Sequence, residues 1–120
     1  DYATPDGTCM RDYIHVSDLT HAHLAALQHL RAGGASDVFN CGYGRGFSVL
    51  EVIEAVKRAS GRDFEVRLTQ RRSGDPASVI AATDKIRRTL GWVPEHDSLD
   101  AIVHHALKWE QHLSSMPDRG

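Results

Sequence analysis

Cysteine is scarce in these 120 residues: Cys9 and Cys41 are the only two, far apart and outside any metal-ligand spacing. Two such thiols are expected to be free, as in a reducing cytoplasm, so a disulfide scaffold is excluded. Long apolar runs are also missing, and nothing approaches the roughly 20 residues of a membrane-spanning helix. Positive charge is not in excess either. A formal net charge of −2 argues against nucleic acid or an anionic membrane as partner.

Several chemical signatures are absent. Eight histidines invite a metal site, but no His-x-x-x-His or Glu-x-x-His set occurs. His21 and His23 diverge on one helix, as do the adjacent His104 and His105. No metal is expected. Tyr2, Tyr13 and Tyr43 each lack a lysine four residues on, and no nucleophile elbow is present, so no catalytic residue is expected within the chain. The glycine loop Gly42-Tyr43-Gly44-Arg45-Gly46 spells G-x-G-x-G, whereas the dinucleotide fingerprint puts its third glycine where Phe47 stands. A tight turn is expected there, with no cofactor.

What remains is an ordinary globular composition, 41% hydrophobic and 25% charged, in a chain long enough for one domain with a core. Tyr13 to Val16 reads as extended. Ser17 or Asp18 is expected to cap a helix reaching Arg31, with Leu19, Ala22, His23, Ala26, Leu27 and Leu30 on its buried side and Gly33-Gly34 after it. In that stripe His23 is expected to be a core histidine bonded to a backbone carbonyl. Asp37 to Cys41 reads as a buried strand. Ser48 and Glu51 form a capping box for a helix running to Gly61. Phe64 to Leu68 alternates as a half-wet strand does, and Val79-Ile80-Ala81 reads as a third extended run. Asp84 is expected to cap a brief helix stopped by Gly91 and Pro94. Asp97 or Ser98 begins the last helix, whose apolar side carries Leu99, Ile102, Val103, Ala106, Leu107 and Leu113. The class is therefore α/β or α+β, with short strands and about four helices.

Two stretches carry the functional signal. Arg11-Asp12-Tyr13-Ile14-His15-Val16 enters a short extended segment, and Arg71-Arg72-Ser73-Gly74-Asp75-Pro76 forms a loop fixed by glycine and proline. Guanidinium forks suit phosphate oxygens, and a carboxylate suits a ribose diol. Together they point to a domain that grips an anion.

Those residues, with their surroundings, resemble the substrate-binding domain of the UDP-glucose 4-epimerases, members of the extended short-chain dehydrogenase/reductase family. The likeness runs from Asp1-Tyr2-x-Thr4-x-Asp6-Gly7-Thr8-x-x-Arg11-Asp12-Tyr13-Ile14-His15-Val16-x-Asp18-Leu19 through Phe39-Asn40-x-Gly42-x-Gly44-x-Gly46-x-Ser48-Val49-x-Glu51-Val52. It continues in Arg71-Arg72-x-Gly74-Asp75-Pro76-Ala77 and Leu90-Gly91-Trp92-x-Pro94, so it covers nearly the whole chain. The resemblance implies a carboxy-terminal fragment, residues 1–120, that holds the UDP of a UDP-sugar. The loop composition of Asp1 to Thr8, with no initiator methionine, fits a segment continuing from a longer protein.

An amino-terminal Rossmann domain, expected to be absent here, would hold NAD and supply a tyrosine–lysine pair for hydride and proton transfer at C4 of the sugar. The whole would be a cytoplasmic enzyme of galactose metabolism interconverting UDP-glucose and UDP-galactose, a homodimer, inactive without its other half. By motif position Arg11 and Arg72 would contact the diphosphate, Asp75 would accept from the uridine ribose, and Tyr13 would shape the same pocket. Two positions depart from the pattern: Val79 stands where some relatives have a tyrosine near the sugar, and Ala82 where many have an aspartate. Another nucleotide-sugar epimerase or dehydratase of the same family, or a stand-alone anion-binding module, are the rival readings.

Overall fold

A computed structural model describes residues 1–116. Its elements in order are β1 (Met10–Arg11), α1 (Val16–Arg31), β2 (Phe47–Ser48), α2 (Val49–Ser60), β3 (Ser78–Val79), α3 (Asp84–Leu90) and α4 (Leu99–Ser115). The four helices and a small mixed sheet give the expected α/β class. The sheet order is β2-β1-β3. β1 runs antiparallel to β2, with Met10 opposite Ser48 and Arg11 opposite Phe47. It runs parallel to β3, with Met10 opposite Ser78 and Arg11 opposite Val79. That register sets Arg11 in the central strand opposite Val79, four residues on from Asp75 of the arginine loop.

The helix ends follow local chemistry. Ser48 accepts from the Glu51 amide at 3.1 Å while the Glu51 carboxylate accepts from the Ser48 amide at 2.7 Å, completing the expected capping box. α2 ends on Gly61 and α3 on Gly91, both left-handed (φ 66° and 63°), which closes each helix on its last carbonyls without a Cβ penalty. Ser98 caps α4 by accepting from Ala101 N. α1 differs from expectation: its cap is His15, whose Nδ1 accepts from Ser17 N at 3.0 Å. Asp18 is thereby released for another task. Asp84 opens α3 rather than capping it, and Thr83 stands at the cap without a side-chain bond.

Two core clusters hold the elements together. Ala22, Tyr43, Ile86 and Trp92 pack with Ile14, Phe39 and Cys41 where α1 meets α3. Ala55, Leu99 and Val103 pack with Phe47, Val52 and Leu107 where α2 meets α4.

Three expectations are corrected. Residues 37–41 and 64–68 are not strands, because no backbone among the described residues pairs with them; Val38 is 80% and Leu68 81% exposed. Tyr13 to Val16 lies outside the sheet, which takes only Met10 and Arg11 from that region. The apolar stripe of α1 is only part-covered: Ala22 is buried, but Leu27 and Leu30 remain about half exposed. His23 bonds the Leu19 carbonyl as expected (2.8 Å) yet stands in solvent.

Candidate functional site

Arg11 and Asp75 meet directly. Arg11 Nη2 donates to Asp75 Oδ1 at 2.5 Å, joining the central strand to the arginine loop across 64 residues. The other carboxylate oxygen, Oδ2, accepts from the Tyr2 hydroxyl at 2.9 Å. The Tyr2 hydrogen bond, then Arg11 and Arg72, outweigh partial burial and hold the Asp75 carboxyl below its usual range. Asp75 is therefore a fixed carboxylate with lone pairs still open to a ligand's hydroxyls.

The loop around it is compact. The Asp75 amide donates to the Arg72 carbonyl (3.4 Å), and Gly74 takes φ 78°, a turn conformation that favours glycine. Arg71 bends back: its guanidinium covers the Tyr2 ring at 4.3 Å and donates to the Asp75 carbonyl at 3.2 Å. Arg72 does not. Among the described residues its side chain makes no hydrogen bond or ion pair. It lines a groove of about 470 Å³ together with Tyr2, Thr8, Cys9, Val66 and Asp75. Arg11 faces a neighbouring hollow of about 520 Å³ with Asn40, Cys41, Val79 and Ile80. The Arg11–Asp75 pair stands at the junction of the two.

Of the residues singled out from sequence, Arg11, Arg72 and Asp75 thus come together around one carboxylate. Tyr13 does not join them: it is half-buried and lines neither hollow, and burial raises its hydroxyl's pKa. Asp12, the other aspartate of the pattern, belongs to the fold. Its carboxylate accepts from the amides of Tyr43 (2.9 Å), Gly44 (2.9 Å) and Ala81 (3.3 Å). A Cβ on Gly42 would stand 2.7 Å from Asp12 Oδ2 and 2.7 Å from the Ala81 Cβ. The glycine loop is wrapped around a carboxylate, which takes its Tyr43 and Gly44 amides. Tyr2 and Arg71 were part of the motifs, but their pairing with each other and with Asp75 escaped the sequence reading, since nothing about a tyrosine in a turn-rich opening segment announces a partner 73 residues away.

Away from this site, Asp18 is fully buried and accepts from the Tyr43 hydroxyl (2.6 Å), Glu95 N (2.9 Å) and His96 N (3.0 Å). Burial raises its pKa, but these donors win and bring it down to about 2. His15, His96 and His105 gather beside it, with His15 Nε2 and His105 Nδ1 at 2.8 Å and the His15 and His96 rings stacked at 4.5 Å. Among the described residues no three His, Cys, Asp or Glu side chains are arranged to hold a metal. No helix of the described residues is long and apolar enough to cross a membrane.

Comparison with known proteins agrees with this architecture. Residues 2–42 match the NAD dependent epimerase/dehydratase family. The UDP-glucose 4-epimerase of Azospirillum brasilense is 58% identical over 94% of this chain and 32% of its own length. That of Halalkalibacterium halodurans is 50% identical over 92% of the chain and 33% of its own. Among solved structures, a UDP-glucose 4-epimerase superposes with a TM-score of 0.92 at 43% identity, over 99% of this chain and 36% of that one. The UDP-Glc/GlcNAc 4-epimerase of Campylobacter jejuni follows at 0.84 and 54%, over 93% of this chain and 34% of that one. The chain spans about a third of the length of the relatives it matches.

Proposed function

Because the chain is homologous to the UDP-glucose 4-epimerases over nearly its whole length, we propose that it is the carboxy-terminal, UDP-holding third of such an enzyme. NAD and the acid–base pair then lie outside residues 1–120, in an amino-terminal domain. The complete enzyme would interconvert UDP-glucose and UDP-galactose in the cytoplasm, as part of galactose metabolism, and act as a homodimer. A Bifidobacterium longum relative crystallised with NAD+ and UDP, 40% identical to this chain, supports both ligands for that whole.

One observation carries the reading: the unengaged guanidinium of Arg72 stands on the same groove as Asp75, which Arg11 already touches. Arg72 and Asp75 on one open groove, with Arg11 bonded to Asp75 and facing the neighbouring hollow, suit a diphosphate joined to a ribose diol. In this assignment Arg11 and Arg72 bind the diphosphate and Asp75 accepts from the ribose. The tight hold falls on the UDP, the part of the substrate that does not react, which leaves the hexose free to turn between two presentations.

Titration of UDP into the chain, followed by amide chemical shifts, tests this. Arg11→Ala and Arg72→Ala should each weaken UDP binding about ten- to a hundredfold, the cost of one charge-assisted contact. Unchanged affinity in both variants, or no saturable binding by the unaltered chain, refutes it. UDP-galactose turnover by the 120-residue chain alone would refute the assignment of NAD and the acid–base pair to a second domain.

A further inference from the structure

We propose that Tyr2 is a positioning residue for the nucleoside end of this site, holding Asp75 in place when Arg11 turns to the diphosphate. The inference rests on the UDP reading above and adds a division of labour among Tyr2, Arg71 and Arg72. Arg11 and Asp75 are bonded to each other, so a diphosphate that attracts Arg11 competes directly with the carboxylate. A carboxylate losing its only donor would be free to swing with the loop that carries it. Asp75 has a second donor, on its second oxygen: the Tyr2 hydroxyl.

Tyr2 is well placed to act as a fixed point. Its amide donates to the Gly7 carbonyl at 2.9 Å, and its carbonyl accepts from the Thr4 amide at 2.8 Å. The same loop is tied to the start of α2, where Asp6 accepts from the Ser48 hydroxyl and the Leu50 amide donates to Thr8 Oγ1 at 3.3 Å. The Tyr2 backbone is therefore anchored in the opening loop and, through it, on α2, and not in the arginine loop. The Tyr2 ring also occupies Arg71, whose remaining reach goes to the Asp75 carbonyl. Of two adjacent arginines, Arg71 becomes a brace and Arg72 is left for the ligand. Each Asp75 oxygen keeps an unused lone pair, enough for the two hydroxyls of a ribose.

The test compares three ligands on the unaltered chain and on Tyr2→Phe, by amide chemical shifts: UDP, 2′,3′-dideoxy-UDP and inorganic diphosphate. Tyr2→Phe should weaken UDP about five- to tenfold, the loss of one hydrogen bond that aims a charged group. It should leave dideoxy-UDP and diphosphate unchanged, because neither uses the carboxylate that Tyr2 aims. Equal loss for all three ligands would make Tyr2 merely structural and overturn the inference, as would no loss for UDP. Failure of the unaltered chain to bind UDP would instead overturn the underlying site. Tyr2→Trp, which keeps a ring beneath Arg71 but displaces the donor, should repeat the ribose-dependent loss. That variant decides the matter if Tyr2→Phe does not fold.

Discussion

Tyr43 donates its hydroxyl proton to Asp18 at 2.6 Å, in a part of the core where both residues are buried and Asp18 fully so. The same hydroxyl accepts from the His15 amide, and the Asp18 carbonyl accepts from the Trp92 indole at 3.0 Å. One carboxylate thus fixes the glycine loop, the start of α1 and the segment before α4. Asp18→Asn should cost about 3 kcal/mol, since its amide would point donor at donor in a buried site. Tyr43→Phe should cost about 1–2 kcal/mol, and the double variant less than the sum. Urea midpoints at constant m-value check both.

Acid should act through the same carboxylate. Its pKa is brought from an ordinary 3.8 down to about 2, so the unfolded chain takes up the proton first. The Asp18 contribution is complete above pH 3.8 and is lost as pH falls toward 2. Urea midpoints between pH 5 and 2.5 should fall in the unaltered protein and fall less in Asp18→Asn.

Local chemistry was legible in the sequence wherever the signal and its cause lie within a few residues. The Ser48–Glu51 box, the glycines at 61 and 91, and the Ser98 cap all behave as their spacing predicts. Signals that need a partner did not translate. Phe64 to Leu68 alternates as a strand should, but alternation names a face and supplies no neighbouring backbone to bond. Leu27 and Leu30 likewise mark an apolar side of α1 without saying what covers it. In the candidate site, Arg11, Arg72 and Asp75 stood out by residue type and motif, Tyr13 was expected beside them and lines neither hollow, and nothing in the sequence separated the task of Asp12 from that of Asp75. An aspartate beside an arginine looks the same whether it faces a ligand or, as here, the Tyr43, Gly44 and Ala81 amides.

His15 adds a second pH dependence at milder acidity. The Ser17 amide can only donate, so the His15 Nδ1 that caps α1 accepts, and the ring proton sits on Nε2 toward His105. Burial first, then His96 and His105, lower the His15 pKa below 6.5, with Asp18 pulling weakly the other way. The unfolded chain therefore binds the proton more readily. His15 contributes full stability above about pH 6.5 and loses it as pH falls below that value. Asn at this position keeps a capping oxygen and cannot titrate. Urea midpoints from pH 8 to 5 should decline in the unaltered protein and stay flatter in His15→Asn; parallel slopes would assign the decline to other groups.

Gly42 offers the sharpest steric test. A methyl group there would lie 2.7 Å from both Asp12 Oδ2 and the Ala81 side chain, closer than carbon atoms approach in folded proteins. Neither neighbour can retreat cheaply: Asp12 is held by three amides, and Ala81, two residues beyond β3, donates one of them. Gly42→Ala should therefore destabilise by about 2–3 kcal/mol, in the range of overpacking a filled core. Gly44→Ala separates the two causes of glycine preference. Its φ is 76°, yet an added Cβ would meet nothing closer than Thr83 Oγ1 at 3.4 Å. Backbone strain alone should cost it about 1–2 kcal/mol. Thermal melts of the two variants should rank Gly42→Ala below Gly44→Ala, and the reverse order would mean that the Asp12 carboxylate yields to the methyl group.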